Sequence, residues 1–212
     1  MIIFFHVKIA EKISKICKDI NSKLIFISTD AVFNDTKNNK FIESDKPNPI
    51  NYYAKTKLDA ENIVLSFSEN NVVLRTAVIY GWHKKSRFTN WIIDSLKDKK
   101  KVDPHVDQYN TPTLVDDLAI AIIKILENNI SGLFHATGKS CLNRFEFATK
   151  IAKYCNYDTN LIIPVTSQEK KQLAPRSNAS CLNSIKLENS INFKFKTIDE
   201  GLRFIFNQSK LK

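Results

Sequence analysis

Tyr53 and Lys57 stand four residues apart, and Thr29 closes an apolar run upstream of them. On a helix that spacing puts Tyr53 and Lys57 on one face. An ammonium beside a phenol favours the phenolate, so Lys57 is expected to lower the Tyr53 pKa from its usual value of about 10. A tyrosine so placed exchanges a proton with a carbonyl or alcohol near neutral pH. The Thr29 hydroxyl can hydrogen-bond the same substrate oxygen. Together the three residue types suit carbonyl reduction or alcohol oxidation. On an arbitrary helix a Tyr-x-x-x-Lys pair is more often solvated than catalytic. Here it comes with a strand-end Ser28-Thr29-Asp30, a long polar connection, and Pro49 four residues ahead of Tyr53.

Those residues need particular elements under them. Residues 24–27 are apolar and partly β-branched, as in a buried parallel strand. Ser28, Thr29 and Asp30 then fall at its C-terminal end, where open α/β sheets place ligand sites. Pro49 suits the first turn of the helix that carries Tyr53. Residues 6–20 space Val7, Ile9, Ala10, Ile13, Ile16, Cys17 and Ile20 as a helix would. Residues 72–76 read as the next buried strand, 86–96 as an amphipathic helix with Trp91 in core packing, 114–128 as a strongly periodic helix and 132–138 as the last core strand. Beyond them come a helix with Phe145, Phe147, Ala148, Ile151 and Ala152 on one face, a short strand at 161–165, and a closing helix at 197–207. Thr197 and Glu200 form a capping-box pattern at the start of that last helix.

A chain of 212 residues, 43% hydrophobic and 25% charged, is expected to make one large domain, or one domain with a small lobe. Its net charge is +10 and its pI about 9.4. The lysines are spread along the chain, and residues 97–101 are the only dense run. The expectation is a solvated basic surface, or attraction toward a phosphate-bearing substrate, rather than a nucleic-acid partner. Cys17, Cys141, Cys155 and Cys181 fit no metal or C-x-x-C spacing. Three of the four fall in helical or apolar stretches and read as core thiols, which suggests a reducing compartment. His6, His83, His105 and His135 make no ligand motif and read as structural, so no metal is expected. No apolar run reaches the length of a membrane span, and the opening MIIFFHV is too short and lacks a charged leader. The expected location is the cytoplasm, with no membrane partner.

Glycine is the most informative count. There are four, Gly81, Gly132, Gly138 and Gly201, where average usage would give about fifteen. No two lie close enough to make G-x-G-x-x-G, which a dinucleotide fold uses for its tight turn and for close backbone approach to the pyrophosphate.

The segments Ser28-Thr29-Asp30-Ala31-Val32-Phe33-Asn34, Glu43-Ser44-Asp45, Pro47-Asn48-Pro49 and Tyr53-Ala54-Lys55-Thr56-Lys57 resemble the extended short-chain dehydrogenase/reductases. They are most similar to the dTDP-4-dehydrorhamnose reductase group. That resemblance implies an NADP(H) or NAD(H) cofactor and a 4-keto nucleotide-sugar substrate, in dTDP-rhamnose biosynthesis. It makes Thr29 the hydroxyl that polarises the substrate carbonyl, Tyr53 the proton donor, and Lys57 the residue that binds the nicotinamide ribose and tunes Tyr53. It puts Asp30, Val78 and Arg176 on the substrate side as well. Many bacterial members carry Trp where Val78 stands. Residues 106–113 match a D-Q-x-x-x-P-T segment, in which Asp107 and Gln108 either shape the cleft or stabilise a turn. Residues 174–177 resemble an A-x-R-P turn with Ser177 in place of the second proline, and Arg176 there either meets a substrate phosphate or is a surface turn residue.

Family members begin the first helix with Asn-Val, where this chain has His6-Val7, and carry the glycine fingerprint ahead of it. The expected fold is therefore α/β: an N-terminally truncated Rossmann-like parallel sheet with helices on both faces, plus a small C-terminal α/β substrate lobe. Residues 1–140 are expected to form what remains of the cofactor domain, with 81–112 contributing to the substrate lobe formed by 141–212. A sheet lacking its first strands needs its edge covered by self-association or by a partner chain. The absent glycine loop argues against activity of this chain by itself. The alternative is a non-catalytic interaction protein of the same fold, similar to the methionine adenosyltransferase β subunit, or one half of a split enzyme.

Overall fold

A computed structural model of the chain describes residues 3–34, 39–83 and 86–209. Met1 and Ile2 of the apolar opening, and residues 35–38 of the polar connection, lie outside the described residues.

In chain order, helix α1 (Ile3–Asp19) leads to strand β1 (Ile25–Thr29), helix α2 (Tyr52–Phe67) and strand β2 (Val72–Thr76). Then come β3 (Ile79–Tyr80), α3 (Arg87–Lys97), β4 (Tyr109–Asn110), β5 (Thr113–Leu114), α4 (Val115–Glu127) and β6 (Gly132–His135). The last part holds β7 (Leu142–Asn143), α5 (Arg144–Tyr154), α6 (Ile185–Ser190) and α7 (Ile198–Ser209). The main sheet is parallel, in the order β1-β2-β6. Its register aligns Thr29 with Thr76 and Arg75 with His135.

β2 is the central strand, and its side chains alternate between two cores as the pleat requires. Val73 joins Ala10, Ala60 and Val64 under α1 and α2. Val72 and Leu74 join Leu118, Ala121, Ile125, Phe134, Leu187 and Phe195 under α4 and α6. Helices thus cover both faces, which is why the strands read as continuous apolar runs rather than alternating ones. A third core, built on Ile92, Phe147, Ile151, Leu202 and Ile205, ties α3, α5 and α7 together. Gly201 is required there: a Cβ at this position would meet the Tyr80 hydroxyl at 1.9 Å.

Three expectations change. Residues 161–165 form no extended strand; Ile162 and Val165 make single bridges to Val102 and His105. Cys141 and Cys181 are not separate thiols but a disulfide joining the loop after β6 to the segment before α6, leaving Cys17 and Cys155 as half-buried free cysteines. The apolar positions of α1 do not all face inward. Ala10 and Ser14 are buried, while Ile9, Ile13, Ile16 and Ile20 are 38, 43, 57 and 68% exposed. Among the described residues β1 and β6 are the two edge strands of this sheet. No described helix is long and apolar enough to cross a membrane.

Candidate active site

The end of β1 sets the first side of the site. The chain turns there into a short 3₁₀ segment (Asp30–Val32), and the Thr29 hydroxyl oxygen caps it by accepting from Ala31 N at 3.1 Å. The same hydroxyl donates to Asp30 Oδ1 at 3.2 Å. The second side is the start of α2, capped by Asn51 Oδ1, which accepts from Ala54 N at 2.9 Å. Asn51 Nδ2 donates to Pro175 O at 3.0 Å and so ties the helix start to the turn carrying Arg176. Tyr53 lies in the first turn of α2 and is half-exposed; Lys57, one turn on, is buried.

One cavity of about 340 Å³ collects Thr29, Asp30, Tyr53, Val78 and Arg176, the sequence-derived candidates, in a single wall. Lys57 stands behind that wall. Its Nζ donates to Ile27 O at 2.6 Å and lies 3.9 Å from the centre of the Phe26 ring. Burial lowers the Lys57 pKa, and the nearby Glu61 carboxylate offsets part of that.

The direction expected for Tyr53 is reversed. Burial raises its pKa, the Thr29 hydroxyl lowers it, and the Asp30 carboxylate raises it further. Lys57 is turned to the strand carbonyl instead. Val78 holds its place in the wall at φ 38°, a left-handed backbone that a β-branched residue seldom adopts.

Three contributors went unnoticed in the sequence. Ser180 donates to Asp30 Oδ2 at 2.6 Å. Burial also raises the Asp30 pKa, and Ser180 and Arg144 temper the rise. Arg144, the first residue of α5, lines the cavity and is itself pulled below its ordinary pKa by burial, with Asp30 opposing and Arg176 adding to the shift. Its position was detectable from the Asn143-x-x-Glu146 capping box that fixes the start of α5. Ser180 sits in an irregular segment and left no such signal. The third is Glu61, one turn beyond Lys57, whose carboxylate binds Arg75 of β2 and accepts from the Ser28 hydroxyl.

Gln108, Arg144 and Arg176 continue into a neighbouring cavity of about 560 Å³ with Phe88, Trp91 and Lys170 on its walls. Trp91 is therefore not the core residue expected; it is 40% exposed and meets Phe88 edge-on. Asp107 and Gln108 hold a loop there: Asp107 accepts from Ser167 N at 2.8 Å, and Gln108 Nε2 donates to Ser167 Oγ at 2.8 Å. The combined cleft offers hydroxyls and a phenol at one end, two arginines in the middle and aromatic rings at the other.

Over residues 5–211 the chain matches the family described as RmlD substrate binding domain. It is 28% identical over 185 residues to a dTDP-4-dehydrorhamnose reductase of Aggregatibacter actinomycetemcomitans, covering 82% of this chain and 63% of that one. It is 31% identical over 193 residues to the methionine adenosyltransferase 2 subunit beta of Xenopus laevis, covering 86% and 57% respectively. A solved dTDP-4-dehydrorhamnose reductase from Bacillus anthracis str. Ames, in complex with NADP, superposes with a TM-score of 0.88 at 28% identity, over 94% of this chain and 70% of that one. The chain thus spans less than two thirds of the length of these curated relatives.

Proposed function

This chain belongs to the RmlD substrate binding domain family, and from that membership we propose that it serves an NAD(P)H-dependent reduction of a 4-keto nucleotide-sugar, of the dTDP-4-dehydrorhamnose type. The observation that carries the proposal is the gathering of Thr29, Tyr53 and Val78 in one cavity that runs on, past Arg144 and Arg176, to Phe88 and Trp91. A nucleotide-sugar has that sequence of parts: sugar, pyrophosphate, base. Arg144 and Arg176 would neutralise the pyrophosphate through charge-assisted hydrogen bonds, and the two rings would take the base. Thr29 would orient the sugar carbonyl. Tyr53 would give its proton to the nascent alkoxide, and a pKa raised by burial keeps that proton in place at neutral pH.

The residues present fit one end of a nicotinamide cofactor. Tyr53 and Lys57 would hold its ribose, with Lys57 fixed by Ile27 O at the strand end. For its pyrophosphate end the four glycines of this sequence make no G-x-G-x-x-G. When bound, the cofactor supplies the hydride. In this reading residues 1–140 are the cofactor sheet, with 81–112 reaching into the lobe made by 141–212, and the setting is the cytoplasm.

Isothermal titration of the 212-residue chain with dTDP, NADPH and NADH tests the proposal. dTDP should bind, and Arg144→Ala should weaken it by about tenfold or more, the loss of one charge-assisted contact. Absence of any dTDP binding by a chain that melts cooperatively would overturn the reading.

A second reading has its own observation. The exposed Ile9, Ile13 and Ile16 stripe of α1, continued by Ile20 just past its end, lies on a helix packed against α2, which suits a surface covered by a second copy or a partner chain, as in a non-catalytic subunit or one half of a split enzyme. Sedimentation of the purified chain separates the cases: a monomer that binds dTDP leaves the first reading alone.

A further inference from the structure

On the far side of β6 from β1, a separate cavity of about 450 Å³ lies between the loop after β6 and the segment leading into α6. Among the described residues it shares no lining residue with the two cavities of the cleft. Lys40, Lys139 and Lys194 all reach it, from three distant parts of the chain. Among the described residues Glu188 is the one carboxylate in its lining. That carboxylate is 3.1 Å from Lys194 Nζ and 3.9 Å from Lys139 Nζ, and its other bond accepts from Phe195 N at 2.9 Å. Lys40 Nζ donates to the backbone oxygen of Lys139. Among the described lining residues three ammoniums face one carboxylate, a surplus of two positive charges in a partly desolvated space.

We propose that this cavity is an anion site for a phosphate group, inorganic or carried by a small phosphorylated molecule. A phosphate dianion matches the surplus, and its oxygens can accept from all three ammoniums. The described lining contains no aromatic ring, so it offers no stacking platform of the kind a nucleotide or single strand would need. The Lys40 pKa is pushed down by burial and by Lys139, with Glu188 opposing; a bound anion would relieve that. The volume leaves room beyond a bare phosphate.

The test is titration of the 212-residue chain with inorganic phosphate and with glucose 1-phosphate, at ionic strength held constant with chloride. Saturable binding is expected. Lys40→Met with Lys194→Met should weaken it by about tenfold or more, while the parent's melting temperature without phosphate is kept or exceeded. Lys139→Met alone should weaken binding in the same sense and serves should the double variant not fold. Glu188→Gln, which removes the competing charge, should tighten it. Lys12→Met, on the exposed side of α1, should leave it unchanged. Tighter binding of glucose 1-phosphate identifies an organic phosphate, and equal binding identifies the ion. The proposal is overturned by binding that chloride abolishes, by lysine variants that bind as the parent does, or by loss in Arg176→Ala, which would place the anion in the cleft.

Discussion

Glu61 Oε2 accepts from Arg75 Nη2 at 2.7 Å, with both side chains nearly sealed from solvent at 2 and 3% exposure. Arg75 Nε reaches both carboxylate oxygens at 3.1 Å, and the Ser28 hydroxyl donates to the same group. One ion pair therefore joins α2, β1 and β2 directly beneath Thr29 and Lys57. It acts on the site by holding the helix that carries Tyr53 against the strand that carries Thr29.

A buried pair of this kind is costly to break from one side, because the survivor is left charged and unpaired. Glu61→Ala or Arg75→Ala is expected to lower stability by about 3–5 kcal/mol in denaturant unfolding. The double variant Glu61→Leu with Arg75→Met should regain most of that loss. A double variant as unstable as the sum of the singles would show that the two residues are not coupled.

Tyr53 is half-exposed, so Tyr53→Phe should shift stability by no more than about 0.5 kcal/mol. Turnover in a nicotinamide-absorbance assay should fall by about 10²–10⁴-fold with substrate affinity retained. The pH dependence follows from the direction of the shift. Burial raises the Tyr53 pKa, so reduction should persist through neutral pH and fail only on the alkaline side. Thr29 lowers that pKa, so Thr29→Val should move the alkaline limb to higher pH. A limb that moves down would refute the assignment.

His135 lies fully buried beside Phe33, with its Nδ1 3.2 Å from Phe41 O. Burial, with the Arg75 guanidinium nearby, pushes its pKa down to about 3. The unfolded chain takes up this proton as pH falls through about 6.5, and the fold refuses it until far lower. The unfolded state thus binds more protons across that window. Stability from this group is complete above the unfolded pKa and falls by up to about 1.4 kcal/mol per pH unit below it. Urea melts at pH 7, 6 and 5 should show that slope, and His135→Phe should flatten it.

The Cys141–Cys181 bridge closes a sequence separation of 40 residues. Chain-entropy reasoning gives such a loop a stabilisation of about 4 kcal/mol. Reduction, or Cys141→Ser with Cys181→Ser, should lower the urea midpoint accordingly. Cys181 follows Ser180, the donor to Asp30, so the double variant should also loosen dTDP binding. Thiol trapping in a fresh lysate then reports the state in cells: a cytoplasmic setting keeps thiols reduced and predicts the bridge open there.

The placing of Thr29 at a strand end and of Tyr53 and Lys57 one turn apart on the next helix was legible in the sequence because it rests on short-range patterns. A β-branched run ends in Ser28-Thr29-Asp30, Pro49 opens a helix, and a four-residue spacing sets one helix face. The same local rules gave the α/β class and the order of its main helices and strands. The capping box at Thr197 and Glu200 appears as read, with Thr197 N donating to Glu200 Oε2 at 2.8 Å.

What the sequence could not decide were encounters between residues far apart in the chain. Ser180 meets Asp30 across 150 positions, and Cys141 meets Cys181 across two loops with no periodicity. Lys57 was expected to act on Tyr53 by spacing alone, but spacing sets the face of a helix and not the direction of a long flexible side chain. Packing against β1 turned its ammonium to Ile27 O. The α1 isoleucines show the same limit: a periodic apolar stripe says that a surface is apolar, and only the packing of α1 on α2 decides that Ala10 and Ser14 face inward while Ile13 and Ile16 face out. Local patterns thus determined which groups exist and on which elements. Their electrostatics, and so the reversed pKa of Tyr53, came from tertiary burial, because desolvation depends on everything packed around a group.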